Sequence, residues 1–349
     1  MTTNATSSAG PAPPLLVQTL GELLATPPEP REFLLEPWML EGDSSLIYAP
    51  TGAGKSIFTL ALALAVAGGG SLLGWNAPAP RRVLLVDGEM PLADIHERAS
   101  MLLPSIRGCD AEAVRENLRF LVQQAQHADT AFPDMDKPAG QAAVLDMVRG
   151  GGVDVLILDN FSTLFECPDE NSASAFNGVA KFLKRIKQAG IACILVHHTG
   201  KNATTYRGSS KLAMTFETLI HLQPTTRAIP PGALGMDMSW HKFRRKRGVN
   251  AQDRTVWLTD SDSEGGARWG HDAPESEALA SLVEEAKTGA YRTQGDLAKK
   301  LGKSPGELSK MKTRAIGQKL TTPEEWGACF GSGAAAVSSP VPSASAGTP

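Results

Sequence analysis

The chain has 349 residues, 42% of them hydrophobic and 20% charged, with a formal net charge of −3. That is room for one large domain plus a small one, with ample apolar material for a core. The near-neutral sum by itself points to no acidic partner, but the charge is unevenly spread. Lys287 to Lys319 holds nine Lys/Arg against two acids, Asp296 and Glu307. The run "HKFRRKRG", His241 to Gly248, has five bases and no acid, and such local patches matter when nucleic acid is a candidate partner. Four cysteines, Cys109, Cys167, Cys193 and Cys329, lie far apart without CxxC spacing. This argues against a disulfide framework or a zinc site and predicts a reducing, cytoplasmic setting. The N-terminal stretch lacks the basic and apolar regions of a secretory signal.

In chain order, residues 1–14 are rich in Ala, Ser and Pro and are expected to be disordered, as is the tail 331–349. "VQTLGELLA" reads as a short amphipathic helix, so 1–29 forms an arm with one helix. From residue 30, short apolar runs alternate with helical stretches: "SLIYA", "RVLLVDGE" (82–89), "LRFLV" (118–122), "VDVLILDN" (153–160) and "IACILVHH" (191–198). Unbroken apolar runs flanked by helices describe an α/β fold with a mostly parallel sheet covered on both faces. Later runs near 216–223, 234–243 and 254–260 read as antiparallel or edge strands. The stretch 261–276, "SDSEGGARWGHDAPES", reads as a linker that breaks the pattern. These boundaries predict a core domain over 30–262 and a small all-α module over 277–322, with no internal repeat.

"APTGAGKS" occupies 49–56 between a strand and a helix. Phosphate binding of this kind needs glycines that let backbone N–H groups face the anion. It also needs a Lys for the β/γ oxygens, a hydroxyl for Mg²⁺ and a helix N-terminus. Gly52, Gly54, Lys55 and Ser56 meet those needs, and Ala49 stands where the P-loop pattern has its first Gly. The predicted nucleotide contacts are Pro50, Thr51, Gly52, Ala53, Gly54, Lys55, Ser56 and Ile57, with ATP and Mg²⁺ as ligands. The apolar run after Lys55 is long enough on paper for a membrane span, but "AGGG" at 67–70 interrupts it. A P-loop helix buried against a sheet is apolar all round, so no membrane partner is expected.

Asp159 ends the most apolar strand, where a carboxylate can hold Mg²⁺ together with Ser56. Glu89 and Asp87 compete as the base that activates water. Residues two apart share a face of a regular strand, but Gly88 interrupts the regularity and Glu89 reaches further, so Glu89 is preferred. Of His197 and His198, successive strand residues, at most one faces the phosphates. Arg207, in a Gly/Ser-rich loop, suits a cation projected into a neighbouring subunit's site; Lys242 and Arg244 are rival candidates.

"APTGAGKS", "VDGEMPLADIHERASMLL", "VLILDNFSTLF", "ILVHHTGK" and "YRGSSKL", in that order, resemble the RecA-like ATPases of the plasmid RepA type, relatives of hexameric replicative helicases. The resemblance covers roughly residues 30–260. It implies a RecA-like P-loop NTPase core, a homo-oligomeric, hexameric ring, ATP between subunits and single-stranded DNA in the channel. It further implies Lys55 and Ser56 on phosphate and Mg²⁺, Glu89 as base, Asp159 as the Walker B acid, His198 on the γ-phosphate side and Arg207 as a finger in trans. The implied channel loops are 161–175 and 199–206, yet the first holds Glu166, Asp169 and Glu170, a poor phosphate-tracking surface. "YRTQGDLAKKLGKSPGELSKMKTRA" adds a predicted helix-turn-helix: a helix over Thr293–Leu301, a turn at Gly302 and a second helix from Ser304 or Pro305. The second helix carries Lys310, Lys312 and Arg314, suited to duplex DNA. The expected function is an ATP-hydrolysing, ring-forming protein of plasmid or mobile-element replication. The alternative is a nucleotide-gated DNA-binding regulator or loader.

Overall fold

The computed structural model describes residues 15–165, 175–199, 214–245, 251–259, 266–272, 275–317 and 320–330. The chain divides into two units, Met1–Glu32 and Phe33–Pro349. In the first, helix α1 (Leu20–Ala25) starts at Thr19, which exchanges hydrogen bonds with Glu22 in a capping box. None of its residues is buried.

The second unit is built on a nine-stranded sheet. A small hairpin, β1 (Phe33–Leu35) with β2 (Met39–Leu40), precedes β3 (Ser44–Ala49), and helix α2 (Lys55–Gly68) follows the loop. A second hairpin, β4 (Ser71–Leu72) with β5 (Trp75–Asn76), leads to β6 (Val83–Asp87), α3 (Leu92–Leu102) and α4 (Ala111–Asn117). Then come β7 (Leu118–Val122), α5 (Pro138–Gly150), β8 (Val155–Asp159), α6 (Phe161–Leu164), α7 (Ala175–Gln188) and β9 (Ala192–His198). Four more strands close the sheet: β10 (Thr218–Pro224), β11 (Leu234–Phe243), β12 (Arg254–Thr259) and β13 (Arg268–His271). Their order is β13-β12-β11-β10-β3-β9-β8-β6-β7, with every pairing from β10 to β7 parallel and those from β10 to β13 antiparallel.

The sheet buries both faces by alternation. Ile47, Ala49, Leu85, Ile157, Ile194 and Ile220 pack with α2 on one side. Leu46, Tyr48, Leu156, Leu158 and Leu195 pack with Val144 and Leu145 of α5 and Phe182 and Ile186 of α7 on the other. Helix α2 is apolar all round because it is walled in: every residue from Phe58 to Gly68 is buried. At 14 residues, closed by Gly69 in the left-handed region, it extends about 21 Å, short of a bilayer core. Among the described residues no helix is long and apolar enough to cross a membrane.

Two expectations are corrected. β10 pairs antiparallel with β11, as read, but it is not an edge strand: its other side is parallel to β3, with Thr218 opposite Ser45. Its direction is set by the crossover that returns the chain to β3, which no local pattern encodes. The stretch read as a linker contains β13, whose Trp269 lies opposite Leu258 and extends the antiparallel edge.

After the sheet come α8 (Glu275–Lys287), α9 (Gln294–Lys300), α10 (Pro305–Gly317) and α11 (Pro323–Ala328). They share a core of Leu279, Leu282, Val283, Leu297, Ala298, Leu308, Ala315 and Trp326, with Leu301 and Met311 packed against it. Thr293 caps α9 through Asp296, and Gly302 turns the chain at φ 63°.

Candidate functional site

Parallel strands put their C-terminal ends on one edge of a sheet, where α/β folds place ligands. Here those ends are polar. Asp87 lies opposite Asp159, and Ala49, leading into the loop, lies opposite His198. The loop after β3 turns through Gly52 and Gly54, with φ of 79° and 87°, values that disfavour a side chain. Gly54 is also close-packed: a Cβ there would sit 3.0 Å from Met236 Cε and 3.2 Å from Leu234 Cδ2.

A cleft of 290 Å³ opens at this edge, lined by Thr51, Gly52, Gly54, Lys55, Ser56, Ile57, Glu89, Met90, Arg98, Asn160, His198 and Leu234. Of the residues expected to contact nucleotide, Pro50 and Ala53 shape the loop rather than the cleft wall. The Pro50 carbonyl accepts from Ala53 N at 3.3 Å and from Lys55 Nζ at 3.0 Å.

Lys55 is buried, and its ammonium donates to the Ala49 carbonyl at 3.3 Å as well. It lies 3.2 Å from His198 Nδ1, which must accept, so the imidazole carries its proton on Nε2. Burial pushes the Lys55 pKa down, while Asp159 and Glu89 push it back up. The two histidines part as alternation requires. His198 also approaches Thr51 Oγ1 at 3.4 Å, whereas His197 is buried against Phe161 at 4.6 Å between ring centroids.

Asp159 is 4% exposed. Burial, and secondarily the nearby Asp87, pushes its pKa up to about 7, although a hydrogen bond from Ser56 and the charge of Lys55 oppose the shift. Asp87 is also buried and raised, first by desolvation. Its Oδ1 accepts from Glu89 N at 2.8 Å and Met90 N at 2.6 Å. That carboxylate is spent on the turn at the end of β6. Glu89 lines the cleft instead, so the geometry separates the two rival carboxylates: one holds backbone, the other faces the space a ligand would fill. Ser56 and Asp159 offer hydroxyl and carboxylate oxygens, with Asp87 close by, a donor set that suits a hard divalent cation.

Arg207 lies outside the described residues. Lys242 and Arg244 lie at the other end of the sheet. Lys242 is opposite Leu219, which pairs with Leu46, and Arg244 N donates to the Glu217 carbonyl beside the start of β3. Arg244 and Lys187 both approach the Glu217 carboxylate, at 3.6 Å and 2.6 Å. Burial and the Arg244 charge push the Lys242 pKa down. Along β3, at about 3.3 Å per residue, the end of the strand where the loop begins lies roughly 10 Å beyond the level of Lys242 and roughly 17 Å beyond Ser44, near Arg244. Sequence reasoning missed Asn160, Arg98 and Met90. Arg98 Nη1 lies 2.9 Å from Met90 Sδ on the cleft wall. Arg98 is visible in "ADIHERAS" only as one charge on an amphipathic helix.

In structure the chain is similar to a KaiC-like protein from the hyperthermophilic archaeon Pyrococcus horikoshii, at 16% identity and a TM-score of 0.47, over 68% of this chain and 93% of that one. Residues 11–204 match the AAA domain family. With its P-loop at the sheet's polar edge and more than half its length in that match, the chain belongs to the AAA domain family.

Proposed function

We propose that the protein hydrolyses ATP at the cleft beside Lys55 and couples hydrolysis to work on DNA as a ring of identical subunits, in the manner of a RepA-type helicase. The observation that carries the hydrolytic part is the convergence of Lys55, Ser56 and Glu89 on one cleft, with the buried Asp159 behind it in a hydrogen bond with Ser56. The N–H groups around Gly54 and the N-terminus of α2 receive the β- and γ-phosphates. Lys55 exchanges its carbonyl partners and His198 for phosphate oxygens. Ser56 and Asp159 would hold Mg²⁺, which would supply charge neutralisation at the phosphates. Glu89 takes the proton of a water attacking the γ-phosphate, and His198, beside Lys55, faces that phosphate.

The finger in trans is Arg207 or the Lys242/Arg244 pair. The second pair lies towards the start of β3, away from the loop of its own chain, which suits service to a neighbouring copy's triphosphate. Arg207→Ala should leave ATP binding intact and stop turnover; unchanged turnover would move the role to Lys242 and Arg244. The cations Lys310, Lys312 and Arg314 on α10 support a duplex-DNA role for the C-terminal helices as a helix-turn-helix. The ATPase rate with and without single-stranded DNA, with the mass of the assembled species, tests the ring and the DNA together.

A second reading, a nucleotide-gated DNA-binding regulator or loader, is favoured by the acidity of Glu166, Asp169 and Glu170 in an implied channel loop. Strand displacement on a forked duplex separates the two readings, since only the helicase performs it.

A further inference from the structure

We propose that Asn160 is the positioning residue for Glu89, holding the carboxylate that activates water while leaving its charge uncompensated. This rests on the hydrolytic reading of the cleft. Asn160 follows Asp159 at the end of β8 and is buried. Its Nδ2 donates to Glu89 Oε2 at 2.6 Å across a sequence separation of 71 residues.

The contact is built into the sheet edge. Asp87 and Asp159 are paired residues of neighbouring strands, and Gly88 N donates to the Asp159 carbonyl at 2.9 Å, extending the pairing one step beyond β6. Glu89 and Asn160 are the next residues on each chain. Gly88 permits this closeness, since a Cβ there would lie 2.5 Å from Thr163 Oγ1 and 2.9 Å from Leu164 Cδ2. Thr163 in turn fixes the Asn160 backbone: its hydroxyl donates to the Asn160 carbonyl at 3.1 Å and lies 3.4 Å from Asn160 N.

An Asn just ahead of a helix ordinarily turns its side-chain oxygen back to cap that helix. Asn160 and Thr163 are arranged as a capping box at the start of α6, but no full hydrogen bond reaches the Asn160 Oδ1, which is buried with no hydrogen-bond partner among the described residues. The side chain is committed to Glu89 even at the expense of its own acceptor, which is costly in a buried site.

The chemistry of the pair explains the residue type. An ionised carboxylate only accepts hydrogen bonds, so its anchor must donate. A Lys or Arg at 160 would donate too, but would form an ion pair that weakens the base. A neutral amide fixes one oxygen and leaves the other to receive a proton. Glu89 is exposed on a flexible stem, so without this anchor it would sample rotamers that point away from the γ-phosphate. Lys55, Asp159, Asp87 and Arg98 also surround it, but the two cations have other partners: Lys55 holds the loop carbonyls and Arg98 lies on Met90.

The test is a double-mutant cycle on the full-length protein, with kcat, KM for ATP, nucleotide affinity and thermal midpoint read for each variant. Asn160→Ala should lower kcat about 10-fold with KM within about twofold. In a Glu89→Gln background the same change should lower the residual single-turnover rate by less than about twofold, because nothing remains to be positioned. Asn160→Asp, which replaces the donor with a like charge, should lower kcat further than Asn160→Ala, again without loss of nucleotide affinity. If Asn160→Ala does not fold, Asn160→Ser, which keeps a short donor, carries the cycle. An unchanged kcat, or equal losses in both backgrounds, or a parallel fall of affinity and thermal midpoint, would overturn the positioning role. Wild-type-like turnover by Glu89→Gln alone would instead refute the assignment of Glu89 as base, and the two failures are told apart by that single variant.

Discussion

The P-loop edge of the sheet and the four C-terminal helices both carry functional signals, yet they spend their charged residues in opposite ways. At the sheet edge Lys55, Asp87 and Asp159 are buried; Lys55 and Asp159 shift each other's pKa values, Asp87 raises that of Asp159, and Lys55 and Asp87 fix backbone turns. In the C-terminal helices Lys310 and Arg314 are exposed, around a core of apolar side chains such as Leu279, Leu297, Leu308 and Trp326. A site built by burial is intolerant of change and specific in chemistry. A face built by exposure is tolerant, and its affinity for an anion is a sum of screened contributions.

Substitutions that break the buried side of this contrast should have the largest effects. Lys55→Ala should abolish ATP hydrolysis while the fold persists, read as turnover against far-ultraviolet circular dichroism. Gly88→Ala should be nearly as damaging for a different reason. Its Cβ forces the end of β6 away from Thr163 and Leu164, so both thermal midpoint and turnover should fall, by about 1–3 kcal/mol in stability.

The raised Asp159 gives a pH signature of intermediate size. In the metal-free, nucleotide-free protein the folded carboxyl keeps its proton to about pH 7, whereas the unfolded one loses it near its ordinary value of 3.8. The folded state binds the proton more tightly, so this group favours folding at low pH. That contribution is lost as pH rises between those values, on the order of a few kcal/mol. Asp159→Asn should flatten this part of the thermal midpoint's dependence on pH between 4 and 8, while removing Mg²⁺-dependent turnover. A slope unchanged by the substitution would mean that the burial is relieved in solution.

The smallest effects belong to the exposed region. Lys310→Ala with Lys312→Ala should leave basal ATPase within about twofold. It should weaken duplex-DNA binding and reduce its salt slope by roughly two. If DNA binding is unmoved, α10 is a protein-docking face and the contrast between the two regions is sharper still.

How much of this was legible beforehand follows the same division. The loop Thr51 to Ser56 and the strand ends at Asp159 and His198 were readable because a continuous apolar run that stops at a polar residue marks a buried strand reaching a site. The choice between Asp87 and Glu89 was half readable. Gly88 announced the irregularity, but the two backbone N–H groups that occupy Asp87 are visible only in three dimensions. Asn160 could not be found, because its role depends on a partner 71 positions away and Asn after a strand reads as a simple helix start. The antiparallel edge failed at β13 for a local reason: "ARWGH" sits among Gly, Ser and Asp, so its four paired residues resemble a linker. β10 failed for a global one, since its direction depends on a crossover.

The most direct measurement is ATP turnover by Glu89→Gln compared with the unsubstituted protein, with nucleotide affinity determined for both. The account predicts equal affinity within about twofold and a turnover loss of about 10²- to 10⁴-fold. Equal turnover in the two proteins would contradict it, because among the described residues no other carboxylate, with Asp87 held by backbone and Asp159 bonded to Ser56, is placed to take the proton.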